Sequence, residues 1–118
     1  MLRTIGYGGK KPSEFFAELE ALNPDLVIDV RDYPHRAFLG SYTKTGLEKR
    51  LGEKYRWLPV CGNATRELPP TLNDEVACLD EIRKLMDIYG VVILLCAEKD
   101  EKRCHRHYIA NRIMGAEG

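Results

Sequence analysis

Short apolar runs alternate with amphipathic segments along the chain. The runs Leu26–Val30 and Val91–Leu95 are almost continuously apolar, which is typical of strands covered on both faces of a sheet. Leu2–Ile5 is a third candidate strand. Tyr55–Val60 is another, although it includes Pro59, which has no N–H to donate to a neighbouring strand. These runs predict the strands of a sheet.

The segments between the apolar runs carry hydrophobic residues at the spacing of a helix. The first predicted helix begins near Pro12, and the second begins at a Thr45 cap. The third follows Asn73 or Asp74, and the last runs from about Lys102 to Met114. Strands and helices therefore alternate through the sequence.

This alternation predicts an α/β fold. We expect a single three-layer domain over residues 1–118, with a mostly parallel sheet of about four strands and helices on both faces. In a parallel sheet the C-terminal ends of the strands lie along one edge. Tyr7, the polar loop Arg31–Arg36, Asn63 and the segment Cys96–Arg106 all follow predicted strands. We therefore expect them to meet at that edge.

The side chains best suited to chemistry lie where the last predicted strand ends. Cys96 ends that strand, and Cys104 and His105 fall in the first turn of the following helix. Backbone N–H groups and cations at such a junction lower the pKa of a thiol. The pattern predicts a catalytic set with Cys96 as nucleophile, Cys104 as resolving thiol and His105 as proton carrier. Alternatively, the cysteines are small core residues and His105 caps the helix.

Basic residues near the same edge predict an anion site. Asp29 lies inside an apolar strand and needs a partner there, and Arg31, two residues on, points to the same face. Their pairing is either structural or positions Arg31 for an anion. The candidate substrate-binding residues are Tyr7, Arg31, Arg36, Glu98, Arg103 and Arg106. Arg66 adds to the positive charge of this edge.

The spacing of the cysteines gives little support to a metal site. Thiolate and imidazole groups are favoured zinc ligands, but Cys96 and Cys104 lack the spacing of a zinc knuckle and no second cysteine-rich pair follows. The glycines at Gly6, Gly8 and Gly9 do not match a dinucleotide fingerprint. We therefore predict neither a metal nor another cofactor.

Composition narrows the class of protein. The 118 residues include 18 basic and 18 acidic side chains, so the formal charge of zero argues against a strongly basic nucleic-acid binder but allows a local basic patch. No apolar run reaches the ~20 residues of a membrane span or resembles a signal peptide. We expect a cytoplasmic protein with no membrane partner. We also expect its four cysteines to be free thiols, metal ligands or catalytic groups rather than disulfide partners. The oligomeric state stays open.

Three segments resemble the domain of unknown function 488 family. They are T-I-G-Y-G-G from Thr4, V-I-D-V-R-D-Y-P-H-R from Val27 and L-L-C-A-E-K-D-E-K-R-C-H-R from Leu94. The order and spacing match along nearly all of the chain. P-V-C-G-N from Pro59 departs from the family pattern, where a Leu-Gly-Gly element is usual, and retains only Gly62. The resemblance implies a grouping rather than a reaction.

The segment I-D-V-R is also similar to a strand end in rhodanese-like sulfurtransferases. That resemblance implies a later strand that delivers a catalytic cysteine, here Cys96, to an anion-binding loop. The loop A-E-K-D-E-K-R differs, because it is long and charged where the rhodanese loop is short and rich in Gly and Ser.

Two functions follow as predictions. The first is a thiol-dependent enzyme that transfers sulfur or another group and acts on a small anionic substrate. The second is a non-catalytic module that binds a nucleotide or nucleic acid through a basic edge, with bases stacked on Tyr7, Tyr33, Phe38 or Tyr42.

Overall fold

The core of the fold is a parallel sheet. A computed structural model describes residues 1–37, 39–98 and 104–115. Within these ranges the strands are β1 (Leu2–Gly6), β2 (Leu26–Asp29), β3 (Tyr55–Trp57) and β4 (Val92–Cys96). Their order in the sheet is β1-β4-β2-β3. Every strand pairing is parallel, which confirms the predicted α/β class.

Helices cover both faces of the sheet. In the part of the chain that the structure describes, the α-helices are α1 (Pro12–Ala21), α2 (Lys44–Leu51), α3 (Glu75–Ile88) and α4 (His105–Met114). Apolar residues of α1 and α2 belong to one core cluster, and those of α3 and α4 belong to the other. None of these helices has the length and apolar character needed to cross a bilayer.

The side chains of strand β4 alternate between the two core clusters. Val92, Leu94 and Cys96 belong to the cluster beneath α3 and α4, whereas Ile93 and Leu95 belong to the cluster beneath α1 and α2. Both sets are buried, so the strand is apolar at every position. Its last residue, Cys96, therefore faces α3 and α4 at the C-terminal edge of the sheet.

Of two helix caps predicted from the sequence, one lies two residues earlier than expected and the other is confirmed. Thr43, rather than Thr45, accepts the backbone N–H of Gly46 at 3.1 Å and begins α2. Asp74, the second of the two predicted caps, accepts the N–H of Ala77 at 3.1 Å and begins α3.

The third strand is shorter than predicted. Strand β3 ends at Trp57, and Pro59 instead begins a 3-10 turn, Pro59–Cys61, which suits its fixed φ angle. Helix α4 begins at His105 with Cys104 as its N-cap residue. The predicted start at Lys102 lies outside the described residues.

The expectation of free thiols is wrong, because the structure joins the cysteines in two disulfides. Cys61, in the turn after β3, bonds Cys78 of α3, with their Cα atoms 5.0 Å apart. Cys96 bonds Cys104, with their Cα atoms 6.9 Å apart. The expectation rested on the cellular compartment, whereas the pairing follows from which cysteines the fold brings together.

Candidate active site

A cavity of about 330 Å³ opens at the C-terminal edge of the sheet. Its wall receives residues that follow each of the four strands, as expected where parallel strands end together. The predicted site residues in this wall are Tyr7, Arg31, Arg36, Cys96, Glu98, Cys104 and His105. The fold thus gathers at one cavity side chains that lie up to about a hundred residues apart in the sequence.

The disulfide between Cys96 and Cys104 forms part of this wall. The Nδ1 atom of His105 lies 3.7 Å from the sulfur of Cys96 and 3.9 Å from that of Cys104. The sulfurs come from the end of β4 and the N-cap of α4, while the ring comes from the first residue of α4. Both sulfurs are therefore within reach of one imidazole nitrogen at the cavity wall.

A hydrogen bond from Nε2, on the side of the ring away from the sulfurs, fixes the orientation of His105. The backbone carbonyl of Val30 can only accept, so Nε2 carries the hydrogen of this bond and Nδ1 presents its lone pair to the sulfurs. Burial lowers the pKa of His105 below its usual value, while the bond to Val30 acts in the opposite direction. A neutral imidazole with a free lone pair at Nδ1 can accept the proton of a neighbouring thiol.

Arg31 is held in the wall by the predicted partner, Asp29. Its Nε and Nη2 atoms donate to the two carboxylate oxygens of Asp29 at 2.8 and 2.6 Å, and the Tyr55 hydroxyl donates to the same carboxylate. Its Nη1 atom donates to the Tyr7 hydroxyl at 3.1 Å and to the Tyr42 carbonyl at 2.6 Å. The Asp29 carboxylate offsets the charge of Arg31. Arg31 thus links the ends of β1 and β2 to the turn at Tyr42.

Arg106 lies behind the wall rather than in it. Its side chain is buried, and Nη1 donates to the backbone carbonyl of Glu98 at 2.7 Å. Gly6 makes room for this contact, because a Cβ there would overlap the Glu98 carbonyl oxygen. Arg106 therefore positions the segment that follows Cys96. Arg103, the remaining predicted residue, lies outside the described residues.

The loop after β3 contributes to the wall Asn63 and Arg66, which were expected at this edge, and Leu68, which was not. Asn63 accepts hydrogen bonds from Thr65 and from the backbone N–H of Thr71, and it donates to the Glu67 carbonyl at 3.0 Å. These bonds fold residues 63–71 back over the cavity, where Arg66 joins its wall. The cluster of Asn, Thr and Pro in this loop signals turns but not their direction.

Gly62 has a structural reason to be retained. A Cβ at Gly62 would lie 2.6 Å from the Cα atom of Asp32, which is too close for any other residue without a backbone shift. Asp32 belongs to the cavity wall and accepts a hydrogen bond from Asn73 at 2.8 Å. The glycine thus allows the loops after β2 and β3 to pack together at the site.

The charges around the cavity mouth are mixed. Arg36 and Arg66 are exposed there, and within residues 1–37, 39–98 and 104–115 no ion pair engages either side chain. The carboxylates of Asp32 and Glu98 belong to the same wall. The wall therefore offers both cations and carboxylates to a ligand.

Comparison with known proteins gives one match. A family model described as Domain of unknown function DUF488 matches residues 11–113, which include the V-I-D-V-R-D-Y-P-H-R segment and both cysteines of the cavity. Searches of curated proteins and of solved structures each gave no match. The rhodanese-like resemblance is not shown by these comparisons.

Proposed function

The chain belongs to the family described as domain of unknown function DUF488, a description that names no reaction, so we propose a function from the geometry of the site. We propose that the protein is a thiol-dependent enzyme that transfers electrons or sulfur to or from a small anionic sulfur compound. One observation carries this proposal: two bonded cysteines lie in a cavity wall with the Nδ1 lone pair of His105 beside both sulfurs.

The reaction begins from the reduced pair. His105 Nδ1 accepts the proton of the Cys96 thiol, and the resulting thiolate attacks an electrophilic sulfur of the substrate. A bond forms between Cys96 Sγ and that sulfur, and the bond to the leaving group breaks, so that the leaving group departs with the electron pair. The product of this step is a mixed disulfide on Cys96.

Cys104 then resolves the mixed disulfide. The first leaving group takes the proton from His105, which then accepts the proton of the Cys104 thiol. The Cys104 thiolate attacks Cys96 Sγ, the bond between Cys96 and Cys104 forms, and the substrate sulfur leaves with its electron pair and takes this second proton from His105. Two electrons pass from the protein to the substrate. A dithiol reductant returns the pair to its starting state by the reverse exchange.

The substrate class follows from the size and charge of the cavity. A volume of about 330 Å³ is at the lower end for small-molecule sites. Because Asp29 offsets Arg31, Arg36 and Arg66 are, among the residues that the structure describes, the wall arginines available to an anion. The nearby carboxylates of Asp32 and Glu98 favour a compound with one negative group over a highly charged one.

The proposal is tested by trapping the mixed disulfide. Reduced protein is mixed with an aromatic disulfide that carries one carboxylate, and adducts are located by mass spectrometry. Cys104→Ser should accumulate an adduct on Cys96, whereas Cys96→Ser should form none at Cys104. An adduct that forms on Cys104 as fast as on Cys96, or no adduct in either variant, would refute the assigned roles.

A matched probe tests the anion site separately. A neutral disulfide of similar size should react equally with the wild type and with the Arg36→Ala and Arg66→Ala variants. The anionic disulfide should react more slowly with both variants, by about tenfold at low salt. Equal slowing of both probes would show that the arginines do not select for charge.

A second candidate function rests on a stack of rings beside the cavity. Tyr33 is exposed and lies over His35 with ring centroids 4.5 Å apart, and His35 meets the edge of Trp57 at 5.0 Å. An exposed ring next to Arg36 suits a base and its phosphate. Tyr7 and Tyr42 are instead buried against each other and are not available for stacking. Phe38 lies outside the described residues.

This second candidate is a binding module for a nucleotide or nucleic acid. It is distinguished from the enzyme by salt-dependent binding of single-stranded nucleic acid that Tyr33→Ala and Arg36→Ala weaken and Cys96→Ser does not change. No binding at low salt would leave only the thiol-dependent proposal.

A further inference from the structure

We propose that the reduced Cys96–Cys104 pair and His105 form a zinc site whose fourth position opens to the cavity. The three possible ligand atoms lie within 4.8 Å of one another, and all three residues are buried. The inference goes beyond the proposed reaction and does not depend on it, because ion binding needs no substrate and no turnover.

The distances from the ring to the sulfurs already suit a tetrahedral ion. With Zn–S near 2.3 Å and Zn–N near 2.0 Å, tetrahedral angles place sulfur and nitrogen about 3.6 Å apart and two sulfurs about 3.8 Å apart. His105 Nδ1 lies 3.7 Å from Cys96 Sγ and 3.9 Å from Cys104 Sγ. Only the distance between the sulfurs must increase, and reduction removes the bond that prevents this.

The hydrogen bond from His105 to Val30 is the kind of outer contact that a histidine ligand requires. A histidine that binds a metal through one ring nitrogen usually donates from the other to a carbonyl or carboxylate, which fixes its tautomer and orientation. Here Nε2 donates to the Val30 carbonyl and Nδ1 faces the sulfurs. The ring is therefore already oriented as a ligand.

Three protein ligands are the usual set of a zinc site that keeps a place for water or substrate. Within residues 1–37, 39–98 and 104–115, the cluster contains Cys96, Cys104 and His105 and no fourth ligand of the same kind. All three residues belong to the cavity wall, which gives solvent access to the remaining position. The site differs in this respect from a closed structural zinc site.

Two oxidation states of the same pair would then differ in ion binding. Zinc binds thiolates. The two sulfurs of a disulfide are bonded to each other and carry no negative charge, so they do not bind zinc in this way. The reduced protein should bind zinc and the disulfide form should not. The cysteine spacing does not indicate this site, because the ligands come from a strand end and a helix start rather than from a knuckle.

The test measures bound zinc after reduction with a phosphine, which does not add thiol ligands. Reduced wild type, equilibrated with zinc chloride and freed of excess ion, should hold one zinc per chain, and the disulfide form should hold none. Cys104→Ser and His105→Gln should each weaken binding by at least tenfold. The double variant Cys61→Ala and Cys78→Ala is the matched control and should still bind one zinc per chain.

Cobalt provides a second readout, which reports the ligands and geometry of the bound ion rather than only its amount. Reduced wild type should give the thiolate-to-cobalt absorption of a tetrahedral site, and His105→Gln should alter it while the circular dichroism spectrum stays unchanged. Zinc that is absent from the reduced wild type, or that survives in both ligand variants, would overturn the inference. Absence of zinc together with a trapped adduct on Cys96 would overturn the metal site alone and leave the proposed reaction standing.

Discussion

The two disulfides of this protein lie on the same face of the sheet, yet their surroundings differ. Cys61 and Cys78 are fully buried and take no part in the cavity wall. Cys96 and Cys104 belong to the same apolar cluster but also reach the cavity, where His105 Nδ1 faces both sulfurs. The comparison shows that access and a neighbouring base, rather than the bond itself, distinguish a reactive pair from a structural one.

The largest expected effect comes from removing the nucleophile. Cys96→Ser should slow the reaction of the reduced protein with an anionic aromatic disulfide by roughly a thousandfold or more. The release of aromatic thiolate is followed by its absorbance. The combined Cys61→Ala and Cys78→Ala variant should react within about threefold of the wild type. A similar loss of rate in this control would erase the distinction between the two pairs.

The next largest expected effect is a loss of stability when the disulfide between Cys61 and Cys78 is removed. The bond between Cys61 and Cys78 closes a loop with a sequence separation of 17. Replacing both residues by alanine should lower the free energy of unfolding by about 3 kcal/mol, because the unfolded chain gains freedom. Denaturation in urea measures this change. A loss below about 1 kcal/mol would mean that this pair contributes little as a crosslink.

Removing the base should slow the reaction without removing the nucleophile. In His105→Gln at neutral pH, the Cys96 thiol loses its proton acceptor, and we expect a roughly hundredfold lower rate with the same disulfide probe. The glutamine can retain a hydrogen bond to the Val30 carbonyl, so folding is checked by circular dichroism. An unchanged rate would show that the thiolate forms without His105.

The smallest expected effect is a pH dependence of the free energy of unfolding that comes from His105. The pKa of His105 is lowered from its ordinary value of 6.5, so below that pH the unfolded state binds more protons than the folded state. The free energy of unfolding should fall as the pH drops below 6.5, by at most about 1.4 kcal/mol per pH unit from this group.

The same pH dependence has a matched control. Cys61→Ala combined with Cys78→Ala should leave the slope unchanged between pH 6.5 and more acidic values, whereas His105→Gln should flatten it. Urea denaturation at several pH values gives the slope. If the free energy of unfolding has the same pH slope in the wild type and in His105→Gln, groups other than His105 cause the loss of stability at acidic pH.

The sequence alone was sufficient to predict the fold class and to predict that the C-terminal ends of the strands meet at one edge of the sheet. Buried parallel strands are apolar at every position, so β2 and β4 stand out against the amphipathic helices. The pairing of Asp29 with Arg31 was also predictable, because a carboxylate inside such a strand needs a cation on the same face. These features depend on local pattern and on general rules of topology.

Other features depend on contacts between distant segments, which local pattern does not contain. The partner of Cys61 is Cys78, and nothing near either residue indicates this choice. Arg66 was expected at this edge, but the hydrogen bonds to Asn63 that fold its loop back towards the cavity are not visible in the local pattern. The hydrogen bond from Arg106, a predicted substrate-binding residue, to the Glu98 backbone is likewise absent from the local pattern.

The most direct test of the central claim is the order in which the two disulfides are reduced and alkylated. The native protein is treated with a limiting phosphine, and exposed thiols are trapped with iodoacetamide and mapped by mass spectrometry. The account predicts that Cys96 and Cys104 are labelled first, with Cys96 reacting faster than a free model thiol at neutral pH. Earlier or equal labelling of Cys61 and Cys78, or slower labelling of Cys96 than of the model thiol, would contradict it.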